Sequence, residues 1–480
     1  MTTNLDPAAV AARFAAALEK RRALEPVWRA CYDHALPPPA GGPALFDATA
    51  ADAAEQLAAS LLAELTPPWS RWFGLSPARP VADTEAGRAA AEALEDAATV
   101  LGGHFDRSNF AIEMHQAFLD LVVAGTGLLL VEEAPLGEPS AFRFTAVPLR
   151  DAVLEEGASG RLDTVFRTAR LTVAEIRRRH PAAALPPALL KGDADARHPV
   201  LEAVWPDRAG TRYAALLTAE PDRPVLLAEG RFAESPCVAF RWLKAPGETY
   251  GRSPVMKALP DIRTANTVVE MVLKNASIAV TGIWQAEDDG VLNPATVRLV
   301  PGSIIPKAPG SAGLTPLAAP GNFDISQLVL GDLRARIRAA MLADRLGPPQ
   351  DARMTATEVL ERGAQTARLL GATYGRLQAE LLTPLVTRCL GILRRRGEIP
   401  PLLLDGREAA LRYESPLARV QGRADAANTL LFLQSVAALG GAAAAQVDAA
   451  AATRWLARTL GAPAEVLVPL HSNPEQALHG

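Results

Sequence analysis

Residues 250–280 read YGRSPVMKALPDIRTANTVVEMVLKNASIAV, and the architecture predicted for the chain starts from this segment. Ser253 is a residue type that caps helix N-termini, and Pro254 suits the first helical position because an N–H there would have no intrahelical partner. Apolar residues then recur at helical spacing: Val255, Leu259, Ile262, Val269 and Leu273. The pattern predicts a long helix over residues 253–280.

A second long helix is predicted beyond a compact insertion. Residues 324–346 keep helical spacing, and the following apolar residues share one face: Leu330, Leu333, Ile337 and Met341. Residues 281–323, between the two helices, are rich in Gly and Pro with short apolar pieces, which predicts a small strand-containing insertion. Residues 347–354 are expected to form a loop, because Pro348 and Pro349 cannot continue a helix.

The order of helix, insertion, helix and Pro-rich loop predicts an architecture. Two long helices that return on each other form an antiparallel pair with the insertion at its tip. Identical pairs arranged in a ring would wall a channel and place the loop at a constriction. A helical hairpin inside an ordinary monomer explains the same pattern equally well, so the residues alone leave both alternatives open.

The N-terminal half predicts further helices and one mixed region. Amphipathic patterns predict helices over residues 7–35, 49–66 and 85–121. The third is expected to be interrupted at Gly102 and Gly103. The aromatic cluster at residues 69–75 is expected to anchor the local core, with a binding platform as the alternative. Residues 128–240 alternate short apolar runs with turn residues, which predicts a mixed α/β region built on an antiparallel sheet.

The C-terminal part predicts more helix. Residues 355–396 predict a very long helix bent near Pro384, and residues 424–470 predict an alanine-rich helical tail. A chain of 480 residues is expected to form two to four packed units. The fold class predicted from these patterns is α+β and predominantly α-helical.

Net charge argues against a protein that binds nucleic acid tightly. The formal charge of −4 provides no global positive field to draw the protein onto nucleic acid, so tight phosphate binding is not expected. A conduit past which DNA slides is a different case, because strong phosphate contacts would hold the duplex in place. A mildly acidic chain is therefore compatible with DNA transport.

The motifs that mark common enzymes are absent from the sequence. It has no Rossmann fingerprint, P-loop, HExxH pair or nucleophile elbow, so we expect no catalytic residue, no cofactor and no metal ligand. Cys31, Cys237 and Cys389 lack the spacing of a disulfide framework or a zinc site. The N-terminus does not resemble a secretion signal, and no apolar run reaches the length of a membrane helix, so no membrane association is expected.

Short motifs follow one another along nearly the whole chain, and their order carries a family resemblance. They are Trp28 with Tyr32, LTPPW at 65–69, WFGL at 72–75, GTG at 125–127, EE at 132–133, YGRSPVMKALPD at 250–261, Asn266, VPG at 300–302, MTATE at 354–358, ELLTP at 380–384 and SPL at 415–417. In this order they resemble the head-to-tail connector, or portal, family of short-tailed double-stranded DNA bacteriophages.

The resemblance implies a twelve-subunit ring with an α/β wing, a two-helix stem, a small α/β clip and a helical crown. By position, the wing would be residues 1–252, the stem helices 253–280 and 324–346, the clip 281–323, the tunnel loop 347–354, the wing and tunnel helix 355–419, and the crown 420–480.

The resemblance also implies partners and a location. Similar proteins form the channel for packaging and ejection of double-stranded DNA at one capsid vertex, without sequence-specific contacts. They dock the large terminase subunit and later a tail adaptor through the clip, and they meet the major capsid and scaffold proteins through the wing. We therefore expect a protein of the virion that assembles in the host cytoplasm.

Candidate site residues follow from the same resemblance. In the tunnel loop, Gln350 and Arg353, next to the two prolines, are expected to lie near DNA. In the second stem helix, Arg334 and Arg338 lie on the same side, where they would face the lumen or form ion pairs between subunits. Ion pairs between neighbouring helices are an equally good interpretation of these two arginines.

Two other classes of protein stay open at this point. One is a different virion structural component such as a tail adaptor, for which 480 residues is long. The other is a hydrolase or transferase of an unfamiliar family, which would need a pocket with converging polar groups. Neither class explains the order of helix, insertion, helix and Pro-rich loop.

Overall fold

In a computed structural model, the chain combines helices with antiparallel sheets. The structure describes residues 5–36, 42, 44–76, 85–190, 192–208, 210–220, 223–281, 284–286, 309–310, 314–316, 323–343, 371, 373–400, 410–413, 416–440 and 446–460. The helices are α1 (Pro7–Arg22), α2 (Glu25–Ala35), α3 (Thr49–Leu65), α4 (Glu85–Asp106), α5 (Phe110–Ala124), α6 (Val173–Arg179), α7 (Pro187–Leu190), α8 (Pro254–Thr281), α9 (Phe323–Ala340), α10 (Thr383–Arg396), α11 (Pro416–Ala438) and α12 (Ala449–Leu460).

The strands follow the chain from the end of α3 to the start of α11. They are β1 (Phe73–Ser76), β2 (Thr126–Glu133), β3 (Phe142–Ala146), β4 (Ala152–Glu156), β5 (Leu162–Leu171), β6 (His198–Asp207), β7 (Gly210–Leu217), β8 (Val225–Phe232), β9 (Cys237–Arg241), β10 (Trp284–Ala286), β11 (Leu314–Pro316) and β12 (Ala410–Tyr413). A short 3₁₀ turn lies at Leu149–Asp151, and a π turn lies at Gln378–Leu382.

Every strand pair in the described part of the chain is antiparallel. β4 to β8 form a five-stranded sheet in chain order, and β3, β2 and β9 form a three-stranded sheet with β2 in the centre. β1 pairs with β12, and β10 pairs with β11. The prediction of an antiparallel sheet within residues 128–240 is therefore confirmed, and so is the α+β fold class.

The five-stranded sheet is covered on both faces. Successive side chains of a strand point to opposite faces, so neighbours in sequence join different clusters. Phe166 lies under α1, where its ring is 5.8 Å from the ring of Phe14. Leu171 and Val200 pack on the opposite face against Ile176 of α6. This sheet is therefore an α/β layer of its own beside the main core.

The main core lies between the helices and the three-stranded sheet. Its aromatic part includes Trp72 and Phe73, as predicted, and the ring centroids of Phe105 and Phe110 are 4.7 Å apart. Trp69 contradicts the prediction for the cluster at 69–75, because its side chain is 72% exposed. Trp69 lies in the turn between α3 and β1, where the chain has left the helix and has not yet joined the strand.

Two predicted helices differ from the structure in where they break. The predicted helix over residues 7–35 is two helices that separate at Ala23 and Leu24, just before Pro26 in the first turn of α2. The predicted break at Gly102 and Gly103 is wrong, because α4 runs through both glycines to Asp106. A helical glycine costs only about 1 kcal/mol, which tertiary packing outweighs here.

The two long helices are adjacent and antiparallel. Trp284 of β10 pairs with Pro316 of β11, so the end of α8 lies near the start of α9. At the other end of the pair, Asp261 of α8 forms an ion pair with Arg336 of α9. α9 ends at Ala340, short of the predicted boundary at 346, and Leu342 has a left-handed backbone with φ of 55°.

Three further observations concern membrane-spanning helices, metal sites and cysteines. None of the described helices has the length and apolar character needed to span a bilayer. Within the described ranges, no cluster of His, Cys, Asp and Glu side chains suits a metal ion. Cys31, Cys237 and Cys389 are free thiols.

Candidate functional site: the paired helices and their base

The base of α8 is built from two glycine-containing motifs that are far apart in sequence. Gly125 ends α5 with φ of +81°, and a Cβ there would overlap the backbone carbonyl of Gly251. The hydroxyl of Thr126 accepts a hydrogen bond of 2.9 Å from the backbone N–H of Gly251. Only residues without side chains allow this crossing, so the two glycines fix where α8 leaves the core.

The cap of α8 joins the same contact. The hydroxyl of Ser253 accepts a 2.8 Å hydrogen bond from the backbone N–H of Met256, which confirms the predicted N-cap. The same hydroxyl donates to the carbonyl of Val123, at 2.8 Å, near the end of α5. Ser253 therefore caps α8 and ties it to α5, which is one of the helices of the main core.

An aromatic pair supports this base from the N-terminal side. The rings of Trp28 and Tyr250 meet edge to face with centroids 5.0 Å apart. The hydroxyl of Tyr250 accepts a 2.9 Å hydrogen bond from the backbone N–H of Leu154 in β4. Tyr250 thus links α2, α8 and the five-stranded sheet.

Midway along the pair, a buried carboxylate joins α9 to α3 and α8. Asn266 of α8 accepts hydrogen bonds from the backbone N–H groups of Phe46 and Asp47, at 2.7 and 3.2 Å. Arg334 of α9 donates to the carboxylate of Asp47 at 2.8 Å. Burial alone would raise the pKa of Asp47, but hydrogen bonds from Thr49 and Arg334 outweigh it, so the pKa of this carboxyl is lowered.

The half of the helix pair that contains the end of α8 and the start of α9, the tip half, differs from the base half in the burial of its side chains. Among the side chains that the structure describes, the last buried one of α8 is Ala265 and the first buried one of α9 is Leu330. Beyond them, large apolar side chains lie exposed on both helices: Met271, Leu273, Leu328 and Val329. Because the helices are antiparallel, these four residues lie in the same half of the pair. A single chain leaves these apolar side chains uncovered.

The predicted site residues fall into two groups. Arg334 is part of the ion pair with Asp47, and Arg338, one turn further along α9, is exposed. Pro348, Pro349, Gln350 and Arg353 lie outside the described residues. The structure therefore brings Arg334 into the network of the paired helices and gives no geometry for the predicted loop.

Three charged residues near the paired helices escaped prediction from the sequence. Asp47, Asp261 and Arg336 were not predicted as site residues, although the ion pair between Asp261 and Arg336 measures 3.0 Å. Opposite charges on two helices that are predicted to pair could have indicated Asp261 and Arg336. No local signal marks Asp47, because its partner Arg334 lies 287 residues away.

Known proteins are similar to this chain along almost its whole length. Residues 8–467 match the family model described as bacteriophage head to tail connecting protein. The chain is 26% identical over 452 residues to a probable portal protein of Bordetella phage BPP-1, covering 88% of this chain and 80% of the relative. It is 24% identical to the portal protein of Salmonella phage epsilon15, with the same two coverages.

Two further matches are more distant. The chain is 22% identical over 325 residues to the portal protein of Escherichia phage T7, covering 65% of this chain and 58% of that protein. A chain in the solved virion of a native gene transfer agent particle is 13% identical, with a TM-score of 0.41 and coverage of 91% of this chain and 93% of that one.

Proposed function

Because this chain belongs to the bacteriophage head-to-tail connecting protein family, we propose that it is a portal subunit. Copies of the chain form a ring at one capsid vertex, and double-stranded DNA passes through the ring during packaging and ejection. The role is structural and not catalytic. The protein is part of the virion and assembles in the host cytoplasm.

The observation that carries this proposal is the set of exposed large apolar side chains in the tip half of the helix pair. Leu328 is 77% exposed and Met271 is 59% exposed, on neighbouring helices. Burying such side chains between copies removes apolar surface from water, which is the main driving force for stable association. A contact between unlike faces of successive copies closes into a ring when the rotation fits.

The charges of the paired helices support a channel wall that does not hold DNA tightly. Three cations of the pair have carboxylate partners within the same chain: Lys274 with Glu270, Arg334 with Asp47 and Arg336 with Asp261. A compensated cation releases fewer counterions from DNA than an unpaired one, so it contributes less to affinity. Loose contact of this kind is what sliding requires.

The regions of the ring are assigned by position. We assign residues 253–280 and 324–346 to the stem, 281–323 to the clip, 347–354 to the tunnel loop, 1–252 and 355–419 to the wing with its tunnel helix, and 420–480 to the crown. Within the tunnel loop, Gln350 and Arg353 lie near DNA, and Pro348 and Pro349 stiffen the turn. Arg338 faces the lumen or a neighbouring subunit.

The proposed partners follow from the family. The ring contains twelve copies. Its clip docks the large terminase subunit during packaging and a tail adaptor afterwards, and its wing contacts the major capsid and scaffold proteins. DNA is held without sequence specificity.

Electron microscopy of negatively stained protein tests the ring directly. We expect rings with a central hole, and sedimentation velocity should show one large species. Only monomer or dimer over a wide concentration range, with and without scaffold protein, would overturn the proposal. Deleting residues 347–354 tests the loop separately: rings should persist while DNA packaging or retention falls, and unchanged packaging would remove the role of the loop.

A further inference from the structure

The helix that ends as α10 contains a π turn at Gln378–Leu382. The sequence provides a reason, because Pro384 lies in the first turn of α10 and has no N–H to donate to the carbonyl four residues earlier. A π turn takes up one extra residue in a helix, so its presence changes the direction and rotation of the segment before it. That segment includes the helical residues 373–377.

Side chains add hydrogen bonds to two carbonyl groups of the π turn, those of Gln378 and Ala379. The hydroxyl of Thr383 donates to the carbonyl of Gln378 at 2.9 Å, and it lies 2.6 Å from the hydroxyl of Tyr413 in β12. Arg161, in the turn between β4 and β5, donates to the carbonyl of Ala379 at 3.2 Å. Arg161 and Tyr413 therefore contact the turn from outside its own helix.

The strongest of these contacts is a buried ion pair. Glu380, inside the π turn, is 7% exposed, and Arg241 of β9 is fully buried. The guanidinium of Arg241 donates to both carboxylate oxygens of Glu380, at 3.2 and 2.6 Å, and its backbone N–H donates a third hydrogen bond at 3.0 Å. Two-point contacts of this type fix orientation as well as distance.

The remaining donors of Arg241 bind the five-stranded sheet and the loop before α8. They reach the carboxylate of Glu156 at 2.8 Å, the carbonyl of Gly160 at 2.7 Å and the carbonyl of Thr249 at 3.0 Å. All five N–H donors of a guanidinium are thereby used. One side chain connects the π turn to both sheets and to the base of the paired helices.

We propose that Arg241 is a positioning residue: through Glu380 it fixes the π turn and so sets the direction of the helical segment at 373–377. The inference rests on the proposed function for its consequence, because that segment follows the residues assigned to the tunnel loop. In the ring, Arg241 would hold each copy of the segment at one angle to the stem. Its role in the isolated chain does not depend on ring formation.

Hydrogen exchange by mass spectrometry tests the role of the pair. In Arg241→Lys and Glu380→Gln, we expect amides of residues 373–383 to exchange at least tenfold faster, with amides of residues 385–393 within twofold of the wild-type rate. Arg388→Lys is the matched control. Arg388 is also a buried arginine, but it binds the carbonyls of Val131 and Glu234 and holds α10 itself.

A double variant separates positioning from simple stabilisation. Arg241→Met with Glu380→Met replaces the pair by apolar side chains of similar size and leaves neither charge buried alone. We expect its melting temperature to recover towards wild type while exchange at 373–383 stays fast and DNA packaging stays low. Recovery of protection together with the melting temperature, or faster exchange spread evenly over the chain in the single variants, would overturn the proposal.

The two proposals fail in different ways. Wild-type protein that forms no rings would contradict the portal assignment and leave the exchange experiment able to decide the role of Arg241. Rings of Glu380→Gln with normal exchange at 373–383 would contradict the role of Arg241 and leave the portal assignment intact.

Discussion

The hydroxyl of Tyr32 in α2 donates a 2.9 Å hydrogen bond to the carboxylate of Asp120 in α5. Burial between these helices raises the pKa of Asp120 to about 6, and the hydrogen bonds from Tyr32 and from the backbone of Leu149 only partly offset it. The same burial raises the pKa of the Tyr32 hydroxyl, so Tyr32 stays a donor across the ordinary pH range. This pair gives the stability of the fold a defined pH dependence.

Asp120→Asn should remove that dependence. The folded protein holds a proton on Asp120 up to about pH 6, whereas an unfolded Asp releases it near pH 3.9. The contribution of Asp120 is therefore complete below about pH 4 and is lost as the pH rises through about 6, with a total change of about 3 kcal/mol. Urea unfolding at pH 4.5, 6 and 7.5 should show the wild type losing stability relative to the variant. Asp52→Asn, at an exposed position of α3, is the control. If the difference in unfolding free energy between wild type and Asp120→Asn does not change with pH, the role given to Asp120 is wrong.

Gly125→Ala should destabilise the fold much more than Gly137→Ala. Both glycines have positive φ, of +81° and +97°, but only Gly125 has backbone atoms where its Cβ would lie. The control should therefore lose about 1 kcal/mol from backbone strain, and Gly125→Ala about 3 kcal/mol or more. Chemical unfolding measures both values. Equal losses would mean that the crossing with Gly251 adjusts at no cost.

Leu328→Glu should abolish ring formation while the chain stays folded. Leu328 is 77% exposed in a single chain, so a charge there does not disturb the core, but it would lie within the proposed contact between copies. Gln327→Glu adds the same charge one residue away without removing an apolar side chain. Sedimentation velocity and circular dichroism report assembly and folding. Rings of normal size for Leu328→Glu would place the contact between copies elsewhere.

Arg334 and Asp47 should show a measurable coupling energy in a double-mutant cycle of Arg334→Ala and Asp47→Asn. We expect about 1 kcal/mol, because Asp47 is only 4% exposed while Arg334 is 42% exposed. The pair of Arg336 and Asp261 is more exposed on both sides, so the same cycle there should give about 0.3 kcal/mol. Unfolding free energies provide the measurement. A larger coupling energy for Arg336 and Asp261 than for Arg334 and Asp47 would contradict the importance of burial at Asp47.

Local sequence patterns were enough to predict the parts of the fold whose contacts lie within a few residues. The helix that begins after Ser253 was predicted from its cap and its apolar period, and the sheet within residues 128–240 from alternating apolar runs and turns. The family resemblance came from the order of short motifs, several of which meet in the structure. The base of α8 brings together Gly125, Tyr250 and Gly251. Asp47 joins Asn266 to Arg334.

The contacts between distant segments became known from the three-dimensional fold. Arg241 and Glu380 lie 139 residues apart, and nothing in the residues around either one specifies the other. The unbroken α4 and the exposure of Trp69 were likewise set by packing, which overrides propensities worth about 1 kcal/mol or less. A local pattern specifies an element because its contacts lie within a few residues. The partner of a buried charge depends on the path of the whole chain.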